Sequence, residues 1–419
     1  MNIIEKIVYD AVKSNPKLKL KLRNIYQSFF DIIPDKKNFS INPIKYQNGY
    51  FFGFHDINPF SYDEKYILSN KLNIELRMPT ANDPLTIGYW DKNFEDFYSL
   101  GDTYAWNYHK GCRLQWLGCK SYECIYNNVE NDKLFSNIIS IETGEIRKIN
   151  FPIDTVSPNG KFATSFSYER LNKYMPGYGY DYKDEAFFEE DTSKNTGLFL
   201  IDIENNEKKL IVSLEKLAKL QPDKTMNNAH HFVTHTEFSP DGKKIAFLHR
   251  WTFDDPNKRF SRLVTCNLDG SEICISKTSG MVSHYVWDDK HGILAYCSVN
   301  GRDGHYIFSN YKMNKYKRVA SKLNSDGHQS YIMNTDLFIT DTYPDKRRYA
   351  KLYLCDINED KVKLIADLKS LKKFQSPNAY KHWACDLHPR TSPLGNYVCF
   401  DSIDAGERSL CVMSLKDIK

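Results

Sequence analysis

The chain has 419 residues, of which 41% are hydrophobic and 14% aromatic, so it is long enough to bury a large core. Its 57 Lys and Arg residues nearly balance 53 Asp and Glu residues, which gives a formal net charge of +4. This balance gives no support to a nucleic-acid-binding protein, because such a protein concentrates basic residues on one face. No apolar run reaches the roughly eighteen residues of a membrane-spanning helix, and the N-terminus lacks the apolar region of a signal peptide.

The ten cysteines occur without a CxxC pair. Several of them lie in apolar, strand-like runs, as reduced and buried thiols do. We therefore expect a cytoplasmic protein rather than an extracellular one that is cross-linked by disulfides.

Residues 1–45 are predicted to form a short N-terminal helical extension. Apolar residues recur at helical spacing before and after Pro16, which interrupts the pattern. We expect a helix, or a pair of helices, that packs on the domain that follows. The alternating Lys residues of this segment also fit a contact with a membrane surface or a partner protein.

From residue 46 onward the chain contains strand-like segments and one repeated phrase. Its clearest copies begin at His235 (HTEFSPDGKKIAF) and His388 (HPRTSPLGNYVCF). In both copies a Ser-Pro pair and then a Gly follow the histidine at the same spacing, ahead of an apolar run. Because Pro presets one turn dihedral and Gly supplies a positive one, each copy predicts a strand, a tight turn and a second strand.

Five further copies are looser. Three begin at His55, His284 and His328, and two begin at Arg113 and Ile153, without a histidine. The copies recur at intervals of roughly 40 to 80 residues, the period range of propeller blades. We therefore predict an all-β, seven-bladed β-propeller over residues 46–419, with insertions at about 171–195 and 216–234. These insertions are candidate lids or sugar platforms, and the alternative is that they are ordered surface loops.

The repeated histidine is expected to open the innermost strand of its blade, so that five imidazoles and Arg113 gather at one mouth of the central channel. Imidazole nitrogens with carboxylate oxygens suit a divalent transition metal. The candidate metal ligands are His284, His328, His382, Asp386 and His388. An alternative is that each histidine only bonds to neighbouring loops, without a metal.

Other residues of the repeats fit substrate chemistry. His249 ends the second strand of the clearest copy, and a neutral histidine is a natural general base near neutral pH. The neighbouring Arg250 is the second candidate catalytic residue, since a guanidinium can hold a sugar carboxylate through two parallel bonds. The candidate substrate-binding residues are Arg113, His235, Arg262 and Arg390. Arginines at such positions also fit structural ion pairs.

The phrases HTEFSPDGKKIAFLHRW, SHYVW, DGHQSY, DTYPD and CDLHPR resemble the propeller family that joins oligogalacturonate lyases to TolB-type propellers. The resemblance covers residues 235–412 well and 49–214 in outline. It implies a cytoplasmic, seven-bladed enzyme with a manganese-type ion held by three histidines and a glutamine, and with a histidine as the base of a β-elimination.

Carried over by motif, the resemblance assigns ligand roles to His284 and His388 and the role of base to His249. The remaining ligand histidine of the family falls at Asp386, and the glutamine falls near Trp383, which cannot coordinate an ion. The metal site is therefore expected to be rebuilt with Asp386 together with His382 or His328.

The sequence thus predicts a metal-dependent, carbohydrate-active lyase, with manganese as the expected ion and an anionic oligosaccharide or polysaccharide that contains uronate as the substrate. One alternative is a non-catalytic propeller that binds a glycan or a protein in cell-surface polysaccharide metabolism. Another is a different glycan-modifying enzyme, such as a hydrolase or a glycosyltransferase. Elemental analysis for bound metal separates the lyase from the non-catalytic propeller. Paired carboxylates across the channel would favour the hydrolase or glycosyltransferase.

Overall fold

The computed structural model describes residues 16–255, 258–290, 292–378 and 380–418. The helical periodicity that the sequence shows before Pro16 lies outside the described residues. None of the described helices is both long and apolar enough to cross a membrane.

Seven antiparallel sheets form a seven-bladed β-propeller, which confirms the predicted fold class. Two strands, β1 (Phe39–Ser40) and β2 (Ile44–Asn48), precede the first blade. Blade 1 contains β3 (Tyr50–Phe51), β4 (Ile67–Leu72), β5 (Leu85–Trp90) and β6 (Phe97–Thr103). Blade 2 contains β7 (Gln115–Trp116), β8 (Glu123–Glu130), β9 (Lys133–Ser140) and β10 (Ile146–Ile149). Blade 3 contains β11 (Phe162–Ser165), β12 (Gly197–Asp202) and β13 (Glu207–Ser213).

The remaining blades follow the same order from the channel outward. Blade 4 contains β14 (His230–Phe238), β15 (Lys244–Thr252), β16 (Arg259–Asn267) and β17 (Cys274–Ile275). Blade 5 contains β18 (Val282–Trp287), β19 (Ile293–Val299), β20 (Arg302–Phe308) and β21 (Tyr316–Val319). Blade 6 contains β22 (Gln329–Tyr331), β23 (Leu337–Asp341), β24 (Tyr349–Asp356) and β25 (Lys361–Lys369). Blade 7 contains β26 (Arg390–Thr391), β27 (Tyr397–Ser402) and β28 (Ser409–Ser414).

The N-terminal strands complete the last two blades. β2 pairs with β28 as the outer strand of blade 7, and β1 pairs with β25 at the edge of blade 6. Pairing the first part of the chain with the last blade closes the ring and covers two sheet edges that would otherwise be open. Both strands lie at the predicted boundary between the extension and the propeller.

The Ser-Pro turns of the repeat share one geometry. In the turn between β14 and β15, the Ser239 N–H donates to the Lys244 carbonyl at 2.9 Å, and the Lys244 N–H donates to the Ser239 hydroxyl at 2.9 Å. Gly242 has φ +70°, a conformation that favours glycine. The same pair of bonds joins Ser392 to Tyr397 between β26 and β27. The spacing of the phrase is therefore the spacing of an inner hairpin.

Helix α1 (Pro16–Phe30) packs on the propeller through polar residues. Gln27 is buried and donates to the Asp345 carbonyl at 3.0 Å, while Arg348 donates to Asp31 just beyond the helix at 2.8 Å. The apolar residues that were expected to face the domain are exposed instead, and Phe29 is 68% exposed. Apolar periodicity located the helix but not its buried face.

The two insertions lie around blade 3. The first contains most of α2 (Tyr168–Tyr174), which follows β11, and a buried ion pair between Arg170 and Glu185 at 2.6 Å holds the loop against it. The second contains most of α3 (Leu214–Lys219), a 3₁₀ turn over Lys224–Met226 and the first part of β14.

Candidate functional site

Five histidines at the repeat position converge on the axis of the propeller, and their rings pack against one another in tilted and T-shaped arrangements. The His328 ring centroid lies 4.0 Å from that of His284 and 4.2 Å from that of His388. His55 lies 5.1 Å from His328 and 5.5 Å from His284. We call these residues, together with His235, the axial histidines; the rings lie within the range that a shared ion or a shared hydrogen-bond network requires.

Phe54 fills the space between the axial histidines. Its ring lies 4.8 Å from His235 and 5.0 Å from His388, and the side chain is only 2% exposed. The ammonium of Lys110 lies 5.8 Å from the same ring. An apolar ring therefore packs among the axial histidines and contributes to their burial.

The Nδ1 atoms of three axial histidines are held by oxygen acceptors. His328 Nδ1 lies 2.9 Å from the Asp341 carboxylate, His284 Nδ1 lies 3.2 Å from the Asp326 carboxylate, and His55 Nδ1 lies 3.0 Å from the Gln329 carbonyl. Each acceptor requires a proton on Nδ1, which leaves the lone pair on Nε2. This arrangement is typical of histidines that bind metal through Nε2.

Asp341 also fixes the backbone of two repeats. Its carboxylate accepts the His328 N–H at 2.7 Å and the His388 N–H at 3.0 Å, and so joins blade 6 to blade 7 at the mouth. The φ of His388 is +44° and that of His235 is +52°, both in the left-handed region that is unfavourable for a β-substituted residue. Such strain is found where function requires a fixed geometry.

Burial keeps four of the axial imidazoles neutral. It lowers the pKa of His55 to about 3 and the pKa values of His235, His328 and His388 to well below their ordinary value. Neighbouring imidazoles act in the same direction, because two positive rings would repel each other. Neutral imidazole is the form that binds a metal ion, so the cluster is competent near neutral pH.

A candidate metal-binding group adjoins the axial histidines and shares His388 with them. His109, Asp386 and His388 each present a ligand atom, and these atoms all lie within 4.8 Å of one another. His109 Nδ1 and His388 Nε2 are buried and have no hydrogen-bond partner among the described residues. Burial, together with the nearby Asp341 carboxyl, raises the pKa of Asp386 to about 7. Two unpaired imidazole nitrogens with a carboxylate that favours a nearby cation fit a divalent ion.

His109 was not among the ligands predicted from the sequence. It precedes Arg113 by four residues, in a loop that the Asn107 side chain holds by accepting the backbone N–H groups of His109 and Lys110. The position is outside the repeat register, so the pattern gave no signal for it. His382, which was predicted as a ligand, lies against His109 with ring centroids 4.1 Å apart and shares a hydrogen bond with it.

A cavity of about 380 Å³ opens next to this group. The residues that line it near the metal-binding group are Tyr178, Arg259, Tyr343, His382 and Asp386. Arg250 lies behind Arg259, and burial together with Arg259 lowers its pKa to about 9. Neither arginine forms an ion pair within the described part of the chain, and Arg250 donates a hydrogen bond to the Ser283 carbonyl at 3.1 Å.

Tyr178 comes from the first insertion and stacks on His109, with ring centroids 4.6 Å apart and an interplanar angle of 13°. Burial raises the pKa of Tyr178 and that of Tyr343 above the ordinary value. Both phenols are therefore neutral hydrogen-bond donors at the cavity wall. The first insertion therefore contributes Tyr178 to the cavity wall, and its role as a lid or a sugar platform stays a prediction.

His249 and Arg262 lie elsewhere. The His249 ring is fully buried, and it accepts a hydrogen bond from Arg262 Nε at 3.1 Å and shares one with His231 at 2.9 Å. The same arginine donates to the Leu217 carbonyl at 2.6 Å and so ties down the second insertion. Because adjacent residues of a strand point to opposite faces, His249 and Arg250 cannot both face the cavity. The roles of His249 and Arg262 in chemistry stay predictions.

Arg113 and Arg390 form ion pairs with carboxylates within the protein. Arg113 is 1% exposed and binds Asp56 through two bonds of 2.9 and 3.0 Å. Arg390 is also 1% exposed and donates to Asp401 at 3.1 Å. Their roles in substrate binding stay predictions. Of the other predicted site residues, the structure brings His235, Arg250, His284, His328, His382, Asp386 and His388 together around the mouth.

No family model and no curated protein matches the sequence. Among solved structures, an oligogalacturonate lyase in complex with manganese is 13% identical, covers 92% of this chain and 99% of its own, and gives a TM-score of 0.63. The chain shares its seven-bladed fold with oligogalacturonate lyases. A second such lyase, from Vibrio parahaemolyticus, is 14% identical over 91% of this chain and 100% of its own, with a TM-score of 0.58. At this level of identity the likeness shows the fold alone.

Proposed function

We propose that this protein is a metal-dependent lyase that cleaves an oligosaccharide containing uronate by β-elimination. The observation that carries the proposal is the group His109, Asp386 and His388, because Asp386 lines a cavity together with Arg259, which has no ion pair among the described residues. A metal-binding group next to a positively charged cavity suits a carboxylate substrate. The fold neighbours add support, since one of them is an oligogalacturonate lyase with manganese.

His109, Asp386 and His388 would hold the ion, and we take manganese as the first candidate. When bound, a divalent ion supplies Lewis acidity at the uronate carboxylate and so acidifies the adjacent C–H. His284 and His328 present Nε2 atoms with lone pairs beside this group, so they remain further candidate ligands.

Arg250 and Arg259 would hold the uronate carboxylate. Two guanidinium groups can hold one carboxylate through several charge-assisted hydrogen bonds, and Arg250 is buried while Arg259 is exposed. Desolvation has already lowered the pKa of both groups, so each gains by acquiring an anionic partner.

The reaction removes the proton at C5, breaks the bond between C4 and the glycosidic oxygen, and forms a C4–C5 double bond. The departing oxygen takes up a proton, and no water is consumed. The neutral phenols of Tyr178 and Tyr343 would donate that proton. His249 is the base that the family resemblance implies. Its two ring nitrogens are hydrogen-bonded in the structure, so base action there requires Arg262 and His231 to move away.

The test is an assay of trigalacturonate with the purified protein, in which the absorbance of the unsaturated product is followed with Mn²⁺ and with a chelator. We expect turnover with the ion, its loss on chelation, and loss of both turnover and bound metal in His388→Ala. The matched control is His230→Ala, a partly exposed histidine that stacks on Tyr174 outside the metal-binding group. New reducing ends without unsaturation would indicate a glycan hydrolase instead, and saccharide binding without turnover or metal would indicate a binding propeller.

A further inference from the structure

Helix α1 forms part of the wall of the candidate active site. The cavity beside Asp386 is also lined by Arg23 and Gln27 of this helix and by Arg348 of blade 6. The N-terminal extension is therefore not a peripheral addition to the propeller. Its polar face closes one side of the cavity.

The polar face is firmly anchored around Arg23. Gln27 and Asp31 are held by Arg348, whose Nη1 donates to Gln27 at 3.2 Å and whose Nε donates to Asp31 at 2.8 Å. Gln375 donates to Asn24, one turn nearer the N-terminus. These bonds hold the helix from Asn24, the residue next to Arg23, to its C-terminal end.

Arg23 itself has no hydrogen bond or ion pair among the described residues, although its neighbours on the same face are fully paired. Arg23 is exposed, yet desolvation by the surrounding cavity wall lowers its pKa, Arg348 lowers it further, and Asp386 acts in the opposite direction. The pKa of His382 is lowered by burial and by both Arg259 and Arg23, so this ring lies within electrostatic reach of the two arginines. Positive charge therefore runs across the cavity from blade 4 to α1.

A second recess next to the cavity has mainly acidic side chains among its charged lining residues. This recess of about 560 Å³ adjoins the cavity at Pro176. The carboxylates that line this recess are Asp181, Glu189, Asp191 and Asp254. A chain that carries several carboxylates would be repelled there, whereas it would be attracted along the arginines toward α1.

We propose that Arg23 is a specificity-determining residue that binds a second carboxylate of an oligo-uronate, while Arg250 and Arg259 hold the first. The inference rests on the proposed function and deepens it: the substrate lies along the direction from blade 4 to α1, with at least two acidic sugar residues bound. A single uronate occupies the blade 4 end and gains nothing from Arg23.

The experiment compares the wild-type protein with Arg23→Gln, Arg23→Lys and Lys21→Gln by calorimetric titration with trigalacturonate and with galacturonate. Lys21 is exposed on the same helix, so Lys21→Gln makes the same change in charge away from the cavity. Loss of one charge-assisted bond, about 1.5 to 3 kcal/mol, predicts that Arg23→Gln binds the trimer about 10- to 100-fold more weakly. Its affinity for the monomer stays unchanged, Lys21→Gln matches the wild type, and Arg23→Lys is intermediate because it keeps the charge but not the planar fork.

Each other outcome overturns the inference in a distinguishable way. If Arg23→Gln binds the trimer as the wild type does, Arg23 has no role and the proposed function stands. If it loses affinity for monomer and trimer equally, Arg23 supports the cavity rather than a second carboxylate. If the wild type binds neither saccharide, the proposed function fails and the inference fails with it.

Discussion

Replacing Asp341 with Asn tests whether this carboxylate orders the metal-binding histidines. Asp341 accepts three hydrogen bonds, from the backbone N–H groups of His328 and His388 and from His328 Nδ1, and it is 1% exposed. The substitution preserves shape but exchanges one acceptor oxygen for an NH₂ group. At least one buried N–H then faces another donor, which costs about 1 to 3 kcal/mol.

The same substitution loosens the tautomer of His328 and the position of His388. Removal of an outer carboxylate that orients a ligand typically weakens metal binding about 10- to 100-fold. We expect Asp341→Asn to bind Mn²⁺ that much more weakly in a calorimetric titration and to unfold at a lower temperature. The control is Asp336→Asn in the same blade, because Asp336 is exposed and pairs with Lys290. A Mn²⁺ affinity equal to that of the wild type, with a clear loss of thermal stability, would show that Asp341 is structural only.

Three further predictions concern single groups. His249→Ala lowers lyase turnover by about 100-fold or more if His249 is the base, with bound metal unchanged, whereas full turnover would exclude it from the chemistry. The pKa of Asp386 is raised to about 7, so a metal ion competes with a proton for this carboxylate. We expect Mn²⁺ affinity to fall as the pH is lowered below 7. In a titration series, Asp386→Asn removes this pH dependence. Burial opposes the charge of Asp154, but Arg113 and Lys110 hold the pKa of this carboxyl at about 2, below its ordinary value of 3.8. The charged carboxylate therefore stabilises the folded state above pH 3.8, and this contribution is lost as the pH falls toward 2. Acid titrations of unfolding for the wild type and Asp154→Asn would show the difference.

The sequence predicts the framework of the site better than its chemistry. The blade register follows from local turn chemistry, since Ser239 and Gly242 determine their own hairpin, and a shared register brings histidines of different blades to one axis. Strand alternation is also a local property, and it places His249 and Arg250 on opposite faces of β15. The sequence therefore carries enough information to predict that only one of these two neighbours reaches the cavity.

The residues that were not predicted come from segments without a repeat. His109 lies in an interblade loop, Tyr178 in an insertion and Arg23 in a helix whose docked face is polar. Their place at the cavity depends on contacts over hundreds of residues, such as the bond from Arg348 to Asp31. Amphipathic periodicity assumes that the apolar face is the buried one, and α1 reverses that assumption.

The composition of the candidate metal centre has a consequence for which ion it prefers. The family resemblance places a carboxylate, Asp386, where a histidine is expected, and it places Trp383 near the expected glutamine. The indole offers only a donor, and Trp383 Nε1 is buried without a partner among the described residues. A group with a carboxylate carries one more negative charge than an all-imidazole group, so it binds oxygen-preferring ions such as Mn²⁺ relatively better and weakens their Lewis acidity. Asp386→His should therefore shift the preference from Mn²⁺ toward Zn²⁺ in competition titrations; an unchanged preference would mean that Asp386 does not touch the ion.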